Sequence, residues 1–162
     1  MFTTQKITPC LWFNFNAEEA VTHYLSIFKN GKILEMSRYG DAMPEHKGKV
    51  LVIRFEIEGQ QFQAINAAQQ FPFTEAISLS VDCASQAEVD TLWSKLTEGG
   101  FESQCGWLKD KYGLSWQIVP RQLVTMLQDK DANKATRVMQ VMFKMKKIDI
   151  ALLQQAYDQA AP

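Results

Sequence analysis

Cys105-Gly106-Trp107-Leu108-Lys109-Asp110-Lys111-Tyr112-Gly113-Leu114-Ser115-Trp116-Gln117-Ile118-Val119-Pro120 reads as a short strand, a charged turn closed by Gly113, and a second strand that stops at a proline. Gly113 supplies the positive-φ backbone that such a turn needs. Asp110, between Lys109 and Lys111, is expected to help keep the turn solvated. The second strand alternates in character, so one of its faces meets a core and the other does not.

Upstream of this hairpin one plan occurs twice. Residues 7–15 are apolar and aromatic and run into Asn16-Ala17-Glu18-Glu19. Asn16 suits an N-cap, and Glu19 stands where a capping box reaches back. Ala20, Tyr24, Ile27 and Phe28 recur at helical spacing until Asn30-Gly31. In the second copy Ile77, Leu79 and Val81 alternate with Ser78 and Ser80, as in a half-buried strand. Ser85-Gln86-Ala87-Glu88 is an S-x-x-E capping box. Val89, Leu92, Trp93 and Leu96 form the apolar stripe behind it, and Gly99-Gly100 ends the helix. Asn16 and Ser85, Glu19 and Glu88, Tyr24 and Trp93, and Gly31 and Gly100 match at one constant offset. The spacing predicts a duplicated strand–helix module.

Each module continues in strands. The first has residues 32–39 and 49–58, then a turn at Gly59-Gln60 into 61–66. The second has 101–105, 107–108 and 114–119. A βαβββ unit cannot close its sheet alone, so two small mixed sheets are expected around a shared cavity. Beyond Pro120, Leu123, Met126 and Leu127 mark a short helix. Asp131 or Asn133 would cap a longer one carrying Ala135, Val138, Met139, Met142 and Met145. The methionine stripe packs on the sheet or on a partner chain, where Met adapts well to irregular surfaces.

The hairpin at 105–120 and the tail segment Lys147-Ile148-Asp149-Ile150-Ala151-Leu152-Leu153 resemble the PhnB-like branch of the glyoxalase/bleomycin-resistance, or vicinal oxygen chelate (VOC), superfamily. That branch is often labelled 3-demethylubiquinone-9 3-methyltransferase. The likeness covers nearly the whole chain. It implies an α+β protein whose two βαβββ modules form a glyoxalase/bleomycin-resistance/dioxygenase-like fold with a C-terminal helical extension. The expected boundaries are 1–120 for the VOC domain, with modules near 5–70 and 75–120, and 121–162 for the extension.

Metal-using members of that superfamily hold a divalent ion with four side chains, one from each of four strands. Carried onto this sequence, those positions fall on Thr8 or Pro9, Gln63, Ala76 and Gln117. No carboxylate or imidazole stands there. Two neutral amides offer little to a hard cation that must shed water, so no metal and no cofactor is expected. The ligand-binding residues expected instead are Trp12 (or Phe13), Gln63, Ser78 with Ser80, Trp107, Ser115 and Gln117. Aromatic walls with a few neutral hydrogen-bonding groups suit a small uncharged or weakly polar molecule.

The alternative is an enzyme of the isomerase, lyase or transferase class using acids of the loop Tyr39-Gly40-Asp41-Ala42-Met43-Pro44-Glu45-His46-Lys47-Gly48. Asp41, Glu45 and His46 are its catalytic candidates. His23, beside Tyr24 on the first helix, reads as a core-edge side chain. Arg54 and Glu56 read as a surface pair, with Arg54 able to hold an anion if it faces the cavity. A dinucleotide-type methyltransferase loop runs from strand through glycines to helix, whereas Gly99-Gly100 follows a helix and precedes a strand. Methyltransferase activity is not expected.

Composition bounds the rest. The chain has 162 residues, 46% hydrophobic and 22% charged, with a formal net charge of −1. That charge carries no electrostatic footprint for nucleic acid or an anionic membrane. Cys10, Cys83 and Cys105 are odd in number and lack CxxC spacing, which fits buried, reduced thiols in the cytoplasm. No apolar run reaches the length of a membrane span, and residues 1–6 lead no targeting segment. Val138, Met139, Met142, Met145, Ile150, Leu152, Leu153 and Tyr157 offer more apolar surface than one sheet absorbs, so a homodimer is expected.

Overall fold

The capping signals in the sequence mark two helices, each of which lies behind a four-stranded sheet. The computed structural model describes residues 5–159, so most of the leading stretch read above for targeting signals falls outside it. The chain divides into two units, Met1–Pro72 and Phe73–Pro162.

The first unit runs β1 (Cys10–Phe13), α1 (Ala17–Ile27), β2 (Gly31–Arg38), β3 (Val50–Ile57) and β4 (Gln60–Asn66). Its sheet is ordered β1-β4-β3-β2, with β1 parallel to β4 and the other pairs antiparallel. Leu11, Phe13, Ile53, Phe55, Phe62 and Ala64 share one face and are buried, as are Ala20, Val21 and Tyr24 of α1. A side chain of the Leu or Phe class gains about 1.5–3 kcal/mol from such burial. The β3–β4 turn is Glu58-Gly59, one residue earlier than Gly59-Gln60. Both residues have positive φ (47° and 83°), the geometry that matches strand twist in a two-residue hairpin.

The second unit repeats the plan with β5 (Ser78–Cys83), α2 (Gln86–Thr97), β6 (Phe101–Glu102), β7 (Trp107–Lys109) and β8 (Ser115–Pro120). The order β5-β8-β7-β6, with β5 parallel to β8, copies the first sheet. The fold is therefore α+β, with two βαβββ modules of the glyoxalase/bleomycin-resistance/dioxygenase type. Leu108, Trp116 and Ile118 line its buried face, with Val89, Leu92, Trp93 and Leu96 of α2 also buried. Ile77, expected on the half-buried side, precedes β5 and is exposed.

The two helix starts differ in chemistry. At α2 the Ser85 hydroxyl accepts from Glu88 N (3.2 Å), while Glu88 accepts from Ala84 N (2.7 Å), one residue before the cap. At α1 the expected cap is absent, since Asn16 makes no side-chain capping bond. Asn66 at the end of β4 takes the role: its Oδ1 accepts from Ala17 N and its Nδ2 donates to Val50 O, both at 3.0 Å. Asn66 is 3% exposed, so losing it strands both partners in the core. Asn66→Ala should cost about 2–3 kcal/mol and Ser85→Ala about 1 kcal/mol in urea unfolding. Equal losses, or a neutral Asn66→Ala, would contradict this division of roles.

The decisive hairpin also departs from its expected chemistry. Asp110 is 2% exposed and does not solvate the turn. Its Oδ1 accepts from Tyr112 N (2.9 Å) and Leu114 N (3.0 Å), and its Oδ2 accepts from Trp116 Nε1 (2.9 Å). The carboxylate thus closes the turn and ties it to the strand that follows.

The tail forms α3 (Arg121–Leu127), α4 (Ala132–Met142) and α5 (Ile150–Asp158). Of the two candidate caps for α4, Asp131 serves, accepting from Asn133 N; Asp149 caps α5 through Leu152 N. Leu123, Met126, Val138, Met145, Ile148 and Leu153 are buried together, with Val119 of β8 packed against them. The methionine stripe therefore splits: Met145 is buried within this unit, and Met139 stays exposed. Cys105 N and Gly106 N donate to Met145 O (2.8 Å) and Lys146 O (2.7 Å). Gln86 both donates to Ile148 O (3.1 Å) and accepts from Ile150 N (2.9 Å). Gly106 has φ +82°, and a Cβ there would lie 2.9 Å from Ile118 O and 3.1 Å from Ile148 Cγ1, so only glycine lets the tail settle.

Candidate functional site

Alternation along the strands leaves each sheet one face without its helix. On the first sheet this face carries Trp12, Gln63 and Arg54, whereas Phe13 is on the buried face, which resolves the choice between Trp12 and Phe13. Gln63 lies between Cys10 and Arg54 in the strand register, and its backbone N–H donates to Pro9 O (2.9 Å). Trp12 Nε1 donates to Gln69 O (2.7 Å), and its ring meets Phe71 edge-on at 5.0 Å. Arg54 pairs with Glu35 (3.4 Å), and Glu56 pairs with Lys32 (3.3 Å), so the expected Arg54–Glu56 pair does not form.

On the second sheet the corresponding face carries Ser78, Ser80, Trp107, Lys109, Ser115 and Gln117. Gln117 Nε2 donates to Ser78 Oγ at 2.8 Å. Ser80 and Trp107 are the register partners of Gln117 on its two sides. Ser115 is wholly buried, and its hydroxyl has no hydrogen-bond partner among the described residues. Lys109 is neutralised by Glu75 at 2.6 Å, a bond that holds the Glu75 carboxyl below the usual carboxylate range. Five expected residues, Ser78, Ser80, Trp107, Ser115 and Gln117, thus share one face of one sheet, while Trp12 and Gln63 belong to the first unit. The full burial of Ser115 and the Lys109–Glu75 pair are features that the sequence reading did not contain. Nothing in the local sequence announces the ion pair, because Glu75 lies before β5.

The loop candidates do not converge. Asp41 is exposed and paired with Lys47 (2.5 Å). Glu45 is exposed, in a single helical turn at Pro44–His46. His46 packs its ring on Phe15 (4.4 Å between centroids) and beside Tyr39 (5.5 Å). His23 lies beside Tyr24 on α1. The thiols divide: Cys83 is buried, and burial with the charges of Glu88 and Asp82 pushes it up to about 12. Cys10, expected to be buried, is exposed.

The residues present do not fit a divalent ion. Ala76 lies in the turn before β5 with no donor atom in its side chain, and Gln117 offers only one neutral amide oxygen, its Nε2 being bonded to Ser78. Among the described residues, no group of three or more His, Cys, Asp or Glu side chains comes together. No helix among them is long and apolar enough to cross a membrane.

The family model described as 3-demethylubiquinone-9 3-methyltransferase matches residues 5–119, which span both modules. The chain belongs to this family. A PhnB protein from Bacillus cereus that carries the same description is 38% identical, with 72% of this chain and 99% of that chain covered and a TM-score of 0.67. A Pseudomonas aeruginosa protein is 26% identical over 72% of this chain and 98% of its own, with a TM-score of 0.61. A mutant of the fosfomycin resistance protein FosX from Listeria monocytogenes, complexed with Mn(II), shares the fold at 14% identity. There 72% of this chain and 90% of that chain are covered, with a TM-score of 0.50. Among curated proteins, none matches the chain. The family match ends before α3, so the three-helix tail lies beyond it.

Proposed function

We propose that this member of the 3-demethylubiquinone-9 3-methyltransferase family binds a small uncharged or weakly polar molecule, without a metal, on the face of its second sheet opposite α2. The observation that carries this reading is the Gln117–Ser78 amide–hydroxyl bond beside Trp107, on a face whose one cation is neutralised by Glu75. Such a surface favours neutral ligands, because a charged one would lose hydration without gaining a counter-ion. Trp12 and Gln63 hold the equivalent face of the first sheet and belong to the same reading.

The family name itself is weakly supported as an activity. Gly99-Gly100 stands after α2 and before β6, the reverse of the strand–glycine–helix order that a nucleotide-type cofactor loop requires. Catalysis by Asp41, Glu45 and His46 draws little support, since Asp41 is held by Lys47 and the His46 ring packs, tilted, against Phe15 and Tyr39.

We also propose a homodimer in the cytoplasm. Its support is that Val124, Met139, Phe143 and Leu152 of the tail stay exposed after the tail has packed, and that the three cysteines are free. Light scattering at micromolar concentration should report a dimer, and a monomer there removes the pairing.

A thermal-shift screen of divalent metals and metabolites tests the binding reading. A chelator should leave the melting temperature unchanged, and neutral aromatic metabolites should raise it. A stoichiometric divalent ion whose removal lowers the melting temperature overturns the metal-free reading.

A further inference from the structure

We infer that the ligand of the second sheet is a planar, uncharged ring with a lactam edge, an N–H beside a C=O; this rests on the binding reading above. Trp107 and Gln117 are directly opposite in the antiparallel β7–β8 register and share the face opposite α2. Side chains opposite one another leave Cβ atoms about 4.5–5.5 Å apart. A ring lying on the indole of Trp107 therefore brings its edge to the amide of Gln117.

Gln117 uses one of its two amide hydrogens on Ser78 Oγ. Among the described residues the second hydrogen and Oε1 have no partner, which leaves one donor and one acceptor in the plane of the amide. Those two groups complement a lactam edge through two parallel bonds, as a glutamine reads the donor–acceptor edge of adenine. A ring with only an acceptor satisfies half of the pair, and a carboxylate satisfies neither charge nor geometry, because Lys109 is engaged by Glu75. Ser115 adds a second observation. It is the register partner of Ser78, it is wholly buried, and its hydroxyl has no partner among the described residues. A buried hydroxyl left without a bond next to an engaged Gln117–Ser78 pair marks a polar network that lacks a member.

The test is calorimetric titration of the full chain with three bicyclic probes of similar size: 2-quinolinone with a lactam edge, quinoline with an acceptor only, and 2-naphthoate with a charge. In the wild type 2-quinolinone should bind about tenfold or more tightly than quinoline, with 2-naphthoate the weakest. Gln117→Leu should bring 2-quinolinone to the level of quinoline and weaken quinoline by less, since quinoline loses one bond where 2-quinolinone loses two. If Gln117→Leu does not fold by circular dichroism, Gln117→Met serves in its place. Equal affinity for 2-quinolinone and quinoline would reject the lactam edge while leaving the binding reading standing. No binding of any ring, with Trp107→Ala indistinguishable from wild type, would reject the binding reading itself. A lactam preference that survives loss of the Gln117 amide would remove Gln117 as its source.

Discussion

Asp110→Ala should cost about 3 kcal/mol or more of unfolding free energy, the largest loss expected of any single polar substitution in this chain. Three donors end on that carboxylate: the amides of Tyr112 and Leu114 and the indole of Trp116. With Asp110 and Trp116 each 2% exposed, water cannot replace the missing acceptor without opening the hairpin. The same turn is backed by Gly100, where a Cβ would sit 2.1 Å from Lys109 O, so the hairpin has no room to shift towards β6. Asp110→Asn should recover part of the loss, because Oδ1 can still accept while Nδ2 faces the indole N–H. Urea denaturation followed by tryptophan fluorescence measures both. A loss below about 1 kcal/mol for Asp110→Ala would mean that the turn holds without the carboxylate.

Deleting residues from 131 onward should unfold the second unit rather than merely trim it. The deletion removes Val138, Met145, Ile148 and Leu153 from the buried cluster and uncovers Leu123 and Met126. At about 1.5–3 kcal/mol for each side chain, the sum exceeds what a small domain can lose. It also strands the amides of Cys105 and Gly106, which donate to Met145 O and Lys146 O. Exchange protection across β7 and β8 should vanish in the truncated chain, and protection equal to wild type would show that the tail is dispensable.

Acid should loosen the same attachment. A bond from Lys147 holds the Asp90 carboxyl below its ordinary range, and Trp93 followed by Lys146 does so for Glu102. A carboxyl depressed in the folded state contributes stability that is fully present above its unfolded pKa and is lost as pH falls through the folded value. The tail's contribution should therefore hold at neutral pH and decline below about pH 4. Asp90 is half-buried and Glu102 exposed, so the effect is modest and weakens further in salt.

The sequence by itself determined the duplication, the helix and strands of each module, and the family. Those rest on local rules: the spacing of Tyr24 and Trp93 on their helices, the S-x-x-E box at Ser85, and the glycines at positive φ. The turn role of Asp110 was legible too, since an Asp three residues before Gly113 is a turn signature. Its burial was not, because flanking lysines give the same local pattern whether or not an indole waits across the strand. Only the tertiary structure decided that Asn66 caps α1 in place of Asn16, that Lys109 is neutralised by Glu75, and that Ile148 fills the space above Gly106. Gln117 could be placed on the correct face by alternation, but its bond to Ser78 joins β8 to β5 across 39 positions of sequence. Each of these depends on partners far apart in the chain, and local preference carries no information about which distant group folding will bring alongside.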